Sequence, residues 1–268
     1  CNTGRYNEIC YKLMNIFDKF LRIRELGIFS IIVVIVIIAS IIDPRFMTVD
    51  SWRAVFLAIP LILVMAMGQM MVIICRHVDI SIGSTLAFAA IVIGLVFIHY
   101  PGISLWLALI ITSLVGLILG LINGFIVTRF NVHSIIVTLG TLSLYRGLVF
   151  IVSGGRQIDR NDIPEHIVLF SQTSFLFSIP AILIFSAVIV IISHILMRHS
   201  VLGREIYATG SNPVAAHLKG INVTKVTLFC FGVCGMLAGI AGLFYASRFG
   251  YVNPGVTGVG IEFIVIAG

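Results

Sequence analysis

Charge is what this sequence has least of. Asp, Glu, Lys and Arg make up 10% of its 268 residues, against about 25% in soluble globular domains. A surface so poor in charge cannot be kept in water, which excludes an ordinary soluble domain and leaves lipid as the surroundings over most of the area. Catalytic signatures are missing as well. None of the four lysines, Lys12, Lys19, Lys219 and Lys225, follows a glycine, so there is no G-x-x-x-x-G-K-[ST] loop to cradle a phosphate. H-E-x-x-H, C-x-x-C and G-x-S-x-G are absent, and the seven histidines are scattered. An enzyme reading is left without an active site, and a metal reading without a ligand set. Cys1, Cys10, Cys75, Cys230 and Cys234 fall in the polar N-terminal stretch or in apolar runs, where cysteine serves as a small apolar residue. Cys230 and Cys234 share a helical face but have no further ligands beside them. The short alternating segments of a membrane barrel are lacking too.

What is present is apolar. Hydrophobic residues reach 59%, and the mean hydropathy is +1.14. A helix needs about 20 apolar residues to cross a bilayer core. Such runs lie near 26–42, 54–75, 80–98, 103–128, 132–153, 174–197 and 226–247, and an eighth begins near 256. The expected fold is an all-α, polytopic membrane helix bundle over 26–268, preceded by an amphipathic segment over 1–25. The first 25 residues lack the pattern of a cleavable signal peptide. The sequence opens on Cys1 and closes within IEFIVIAG, so a piece of a longer polypeptide is expected.

The net charge of +6 reads as a membrane-orientation signal and not as affinity for nucleic acid. With residues 1–25 placed in the cytoplasm, the inner side carries Arg5, Lys12, Lys19, Arg22, Arg24, Arg76, Arg129, Arg198, Arg204, Lys219 and Lys225. The outer side carries Arg45, Arg53, Arg156, Arg160 and Arg248. The excess of inner cations predicts a cytoplasmic N-terminus.

Glycines recur at four-residue spacing in Gly116, Gly120 and Gly124 and again in Gly235 and Gly239, a pattern that lets helices approach closely in lipid. Three polar clusters stand out. RHVDISIGS, 76–84, separates two apolar runs, either as a tight turn or as a helix break lining a cavity, with Asp79 as a candidate N-cap. In TLGTLSLYRGL, 138–148, Thr138, Thr141 and Tyr145 share one face beside Arg146, a charge within an apolar run. That face either lines a polar solute path or bonds neighbouring helices. The third cluster is the loop 198–225. There Ser211 or Asn212 can cap a short helix that starts at Pro213 and ends at Gly220, a suitable knob for a partner's groove. In the outer connection, Arg156 and Arg160 are candidate docking cations, with Asp159, Asp162 and Glu165 beside them to neutralise them.

Three stretches, in order, resemble the permeases of ATP-driven carbohydrate importers of the ribose, xylose and rhamnose group. They are RHVDISIGS, TLGTLSLYRGLVFIVSGG and GREIYATGSNPVAAHLKGI. Within that family the autoinducer-2 importers are nearest, because they too replace the usual glycine pair where Arg76 and His77 stand here. The resemblance implies a fold like the vitamin B12 importer permeases and a location in the bacterial inner membrane. It implies ATP and Mg held by separate ATP-binding subunits, a second and related permease subunit, and an external binding protein. By the same match Gly203, Gly210, Asn212, Ala215, Ala216 and Gly220 belong to the loop that touches the ATPase. Asp79, Ser81, Gly83 and Ser84 fall in a motif near the pathway. An ion-coupled secondary transporter is the alternative from another class, and acidic residues inside the spans would favour it.

Overall fold

In lipid every backbone polar group must find its partner within the protein, and a helix does this residue by residue. The computed structural model describes residues 24–172 and 180–267. Most of the amphipathic segment expected over 1–25 lies outside the described residues.

The chain divides into two units, Cys1–Val55 and Phe56–Gly268. The first holds α1, Arg24–Ile42, whose apolar part is Phe29–Ile42. This run is rich in Ile and Val, residues with only modest intrinsic helix propensity. Asp43 ends the helix and starts a 3-10 turn at Pro44–Met47, accepting the Arg45 N–H at 2.9 Å.

Helix α2, Val49–Ile74, starts in the first unit and continues through the second. The second unit then holds α3 (Ile82–His99), α4 (Leu105–Phe130), α5 (Ser134–Ser153), α6 (Glu165–Gln172), α7 (Ala181–His199), α8 (Val201–Ser211), α9 (Pro213–Leu218), α10 (Val223–Phe249) and α11 (Ile261–Ala267). Among the described residues, α2, α3, α4, α5, α7 and α10 are long and apolar enough to span a membrane. The protein is an all-α polytopic membrane protein.

Helix α10 forms the core, and α4 lies directly against it. A Cβ on Gly116 would collide with the Gly235 carbonyl, and one on Gly235 with the Gly116 carbonyl. A Cβ on Gly120 would lie 3.0 Å from the Gly235 Cα. The two backbones touch along the glycine stripe, so these residues are a steric requirement of the bundle.

One departure from the apolar pattern matters. Where an apolar run begins near 256, helix starts only at Ile261, because Gly258 and Gly260 take positive φ (74° and 80°). The segment 250–260 instead returns along the bundle from the α10 cap at Gly250. Val252 and Ile158 exchange backbone hydrogen bonds at 3.0 Å, and Gly258 packs on Gly83. Protein encloses part of this irregular segment, including Val252 and Thr257.

The glycine contact sets a testable cost. Gly235→Val is expected to lower the stability of the purified chain in detergent by about 3 kcal/mol through overpacking. Gly147→Ala, with open space around it in the interior of α5, should not destabilise and should gain up to about 1 kcal/mol from helix propensity. Thermal unfolding of both variants checks the contrast.

Candidate functional site

The connection between α2 and α3 is a structured break. The His77 N–H reaches the Val72 carbonyl (3.1 Å) and the Arg76 N–H reaches the Ile73 carbonyl (2.9 Å). This is the paired pattern that closes a helix through a left-handed residue, a place glycine usually takes. Here Arg76 takes it, at φ 64°, at a cost of about 1 kcal/mol. Its guanidinium donates to the Ser211 carbonyl at 2.6 Å, the last residue of α8, where a cation also suits the helix dipole.

Asp79 is buried, and its Oδ1 accepts both the Ser81 N–H (2.9 Å) and the Ser81 hydroxyl (2.7 Å). It is therefore not the N-cap of α3. Ser81 holds that position without a side-chain cap bond. A carboxylate two residues ahead of its donor closes a local turn instead of reaching into the helix. Ser84 bonds back to the Ser81 carbonyl at 2.7 Å.

From Ser81 the network runs outward. Asn123 of α4 donates to the Ser81 hydroxyl at 2.8 Å. The Tyr145 hydroxyl of α5 faces Asn123 Oδ1 (3.2 Å) and the Leu119 carbonyl (2.9 Å), to which its one proton can be given. Ser134 accepts the Val78 N–H at 3.1 Å, Thr138 donates to the Ser134 carbonyl at 2.9 Å, and Thr141 donates to the Thr138 carbonyl at 3.3 Å. Asn123 lies seven residues before the end of α4, so this meeting point is about 10 Å inside the bundle from that end. Asp79 and Ser81, at the far end of the connection, are buried in the bundle, whereas Arg76 at its start is exposed. Thr138, Thr141 and Tyr145 are all buried; Tyr145 bonds α4, whereas Thr138 and Thr141 bond back mainly within α5.

Arg146 is only half-buried, and its Nη1 donates to the Thr257 carbonyl of the returning segment at 2.5 Å. Glu262 is buried beside Gly83 in the first turn of α3. Glu262 was not singled out in the sequence as a site residue. Its signal there is an acid in an otherwise apolar run.

The loop 198–225 folds into two helices. Ser200 caps α8 by accepting the Gly203 N–H at 2.9 Å. Asn212 caps α9 by accepting the Val214 and Ala215 N–H groups at 3.0 and 3.1 Å, with Pro213 in the first turn and Gly220 at φ 85° just beyond the end. A Cβ on Gly203 would lie 2.6 Å from the Leu196 carbonyl oxygen, and one on Gly210 would collide with the Ile74 carbonyl. Ala216 faces inward and Ala215 is half-buried, while Val214 and Leu218 project outward, 71% and 82% exposed. The sequence pointed to the alanines; the outward apolar pair was missed.

On the other connection Arg156 pairs with Asp162 at 3.4 Å, and Asp162 also accepts the Asp159 N–H. The Arg160 side chain packs on Gly250. Much of this loop's charge is answered locally, and an exposed pair of this kind adds little stability. Among the described residues no group of His, Cys, Asp and Glu is placed to hold a metal ion.

Residues 53–268 match the family described as branched-chain amino acid transport system / permease component. The chain is 32% identical over 244 residues to the autoinducer 2 import system permease protein LsrC of Salmonella typhimurium, covering 91% of this chain and 69% of that protein. The LsrC protein of Yersinia enterocolitica is 32% identical over 228 residues, 85% of this chain and 62% of its own length. That of Escherichia coli O9:H4 is 30% identical over 244 residues, 91% and 70% respectively. The chain thus spans about two thirds of the length of these relatives. No solved structure matches it.

The buried network carries a prediction. Asp79→Ala leaves the Ser81 N–H and hydroxyl without their acceptor and should destabilise the chain by about 2 kcal/mol. Tyr145→Phe should cost less, about 1 kcal/mol, since it removes one hydroxyl from a membrane interior. Chemical unfolding in detergent ranks the two, and a reversed order contradicts the network.

Proposed function

The chain belongs to the family of branched-chain amino acid transport system permease components, and on that premise we propose that it is the membrane subunit of an ATP-driven importer that carries autoinducer 2 inward. The reading rests on one observation above the rest. A short capped helix, α9, lies on the connection between two spanning helices and presents Val214 and Leu218 outward. Apolar side chains one turn apart on a short rigid helix fit a groove on a partner. The chain has no phosphate-cradling loop, so the partner that fits is an ATP-hydrolysing subunit, with ATP and Mg on its side of the contact.

In this reading the full assembly also holds a second permease subunit and an external binding protein that delivers ligand. The loop faces the cytoplasm together with the N-terminus. ATP closes the hydrolysing subunits on one another, α9 moves with them, and the spans alternate between outward and inward access. Autoinducer 2 is the ligand by likeness to the LsrC proteins, and ribose is the next candidate. Arg146 and the enclosed polar face around Asp79 bound the path; Arg156 and Arg160 lie on the side where a binding protein docks.

Uptake decides the substrate. Cells carrying the whole gene with its neighbouring transporter genes should accumulate labelled autoinducer 2, and deletion of this subunit should abolish that. Loss of ribose uptake alone would move the substrate. Replacing Val214 and Leu218 together with Asp should leave ATP hydrolysis running while import falls by about tenfold, as expected when roughly 1.4 kcal/mol of coupling is lost. Normal import in that variant removes the contact.

A further inference from the structure

Helix α8 joins α9 to the break between α2 and α3. Its C-terminal turns abut the end of α2 at three places: the Ile206 carbonyl lies 4.0 Å from the Cys75 Sγ, Gly210 packs backbone to backbone on Ile74, and Ser211 receives Arg76. Cys75 is in turn 3.4 Å from Cys230 of α10. One residue, Asn212, separates α8 from α9. A displacement of α9 therefore has a short path into the break.

Within that path Arg76 is unusual. The turn at φ 64° is one that glycine holds without steric cost. An arginine adds nothing to the turn itself. What it adds is a guanidinium with a short, charge-assisted bond to the α8 terminus. Because that bond starts on the residue before His77 and two before Val78, a pull on Ser211 acts on the segment whose other end is held by Asp79, Ser81 and Asn123.

We propose that Arg76 is a positioning residue for energy coupling, a latch that transmits motion of the loop 198–225 to the break at 75–81. The proposal rests on the importer reading above. Gly210 and Ile74 supply the rigid contact that pushes, and Arg76 supplies the contact that pulls, so the break follows α8 in both directions.

The test uses the complete complex, with both permease subunits, the ATP-hydrolysing subunits and the binding protein, reconstituted in lipid vesicles. The readout is ATP hydrolysed per ligand imported. A purely structural residue would lower both rates together and leave this ratio unchanged. Arg76→Gly keeps the left-handed turn and deletes the latch. It should raise the ratio at least about fivefold, the lower end of coupling between sites. Arg76→Lys, with a point charge in place of the planar fork, should fall between. An unchanged ratio in Arg76→Gly overturns the latch. Should the glycine variant fail to assemble, Arg76→Asn, which also accepts the left-handed turn, replaces it. Failure of both would make the arginine a folding element and also overturn the proposal. Import by the wild-type complex without ATP hydrolysis would instead overturn the importer reading.

Discussion

A break between two long apolar helices frees backbone groups that must find partners elsewhere, and much of the bundle is arranged around satisfying those at 75–81. The Val78 N–H goes to Ser134 and the Ser81 N–H to Asp79, while Asn123 donates to the Ser81 hydroxyl and has the Tyr145 hydroxyl of a further helix beside its own side chain. Unmade, such bonds cost about 1–3 kcal/mol each. The network thus ties α3, α4 and α5 to one short segment. The glycine contact with α10 fixes the same helix, α4, that carries Asn123.

The cytoplasm-facing loop of the proposed importer depends on that segment too. Helix α8 has no long apolar stripe of its own to bury, and Gly203 and Gly210 let its backbone settle on Leu196 and Ile74. The small residues that look like mere spacers in GREIYATGS are the contact surface. Larger side chains there would lift the loop from the spans and separate the outward pair Val214 and Leu218 from the break.

Much of this was legible in the sequence because it rests on local rules. The runs at 54–75, 80–98, 103–128, 132–153 and 226–247 match spanning helices to within several residues, differing where polar residues extend a helix past its apolar part, as Asp50 and Ser51 do for α2; of 26–42 only Phe29–Ile42 forms an apolar helix, and the start of 174–197 lies outside the described residues. Asn212, Pro213 and Gly220 marked α9 because caps and first-turn prolines are local chemistry. The glycine stripes foretold a close helix pair but not which two helices. Other features were hidden because they arise from tertiary contacts. Asp79 reads as a cap from its neighbours alone, yet its carboxylate is spent on Ser81. Arg76 in a left-handed turn has no sequence signature. The outward face of α9 depends on which side packs on the bundle, so the alanines drew attention before Val214 and Leu218. The run near 256 is apolar but for Thr257 and Glu262, and the positive φ of Gly258 and Gly260 delays its helix to Ile261.

The buried acids Asp79 and Glu262 are what an ion-coupled transporter would need, whereas α9 is what an ATP-driven one would need, and energy source separates the two accounts. The direct measurement is accumulation of labelled autoinducer 2 in vesicles holding the complete complex, with ATP supplied on the loop side and ion gradients collapsed by ionophores. The account predicts accumulation that follows ATP and persists without gradients. Accumulation that ignores ATP and vanishes with the gradients would contradict it.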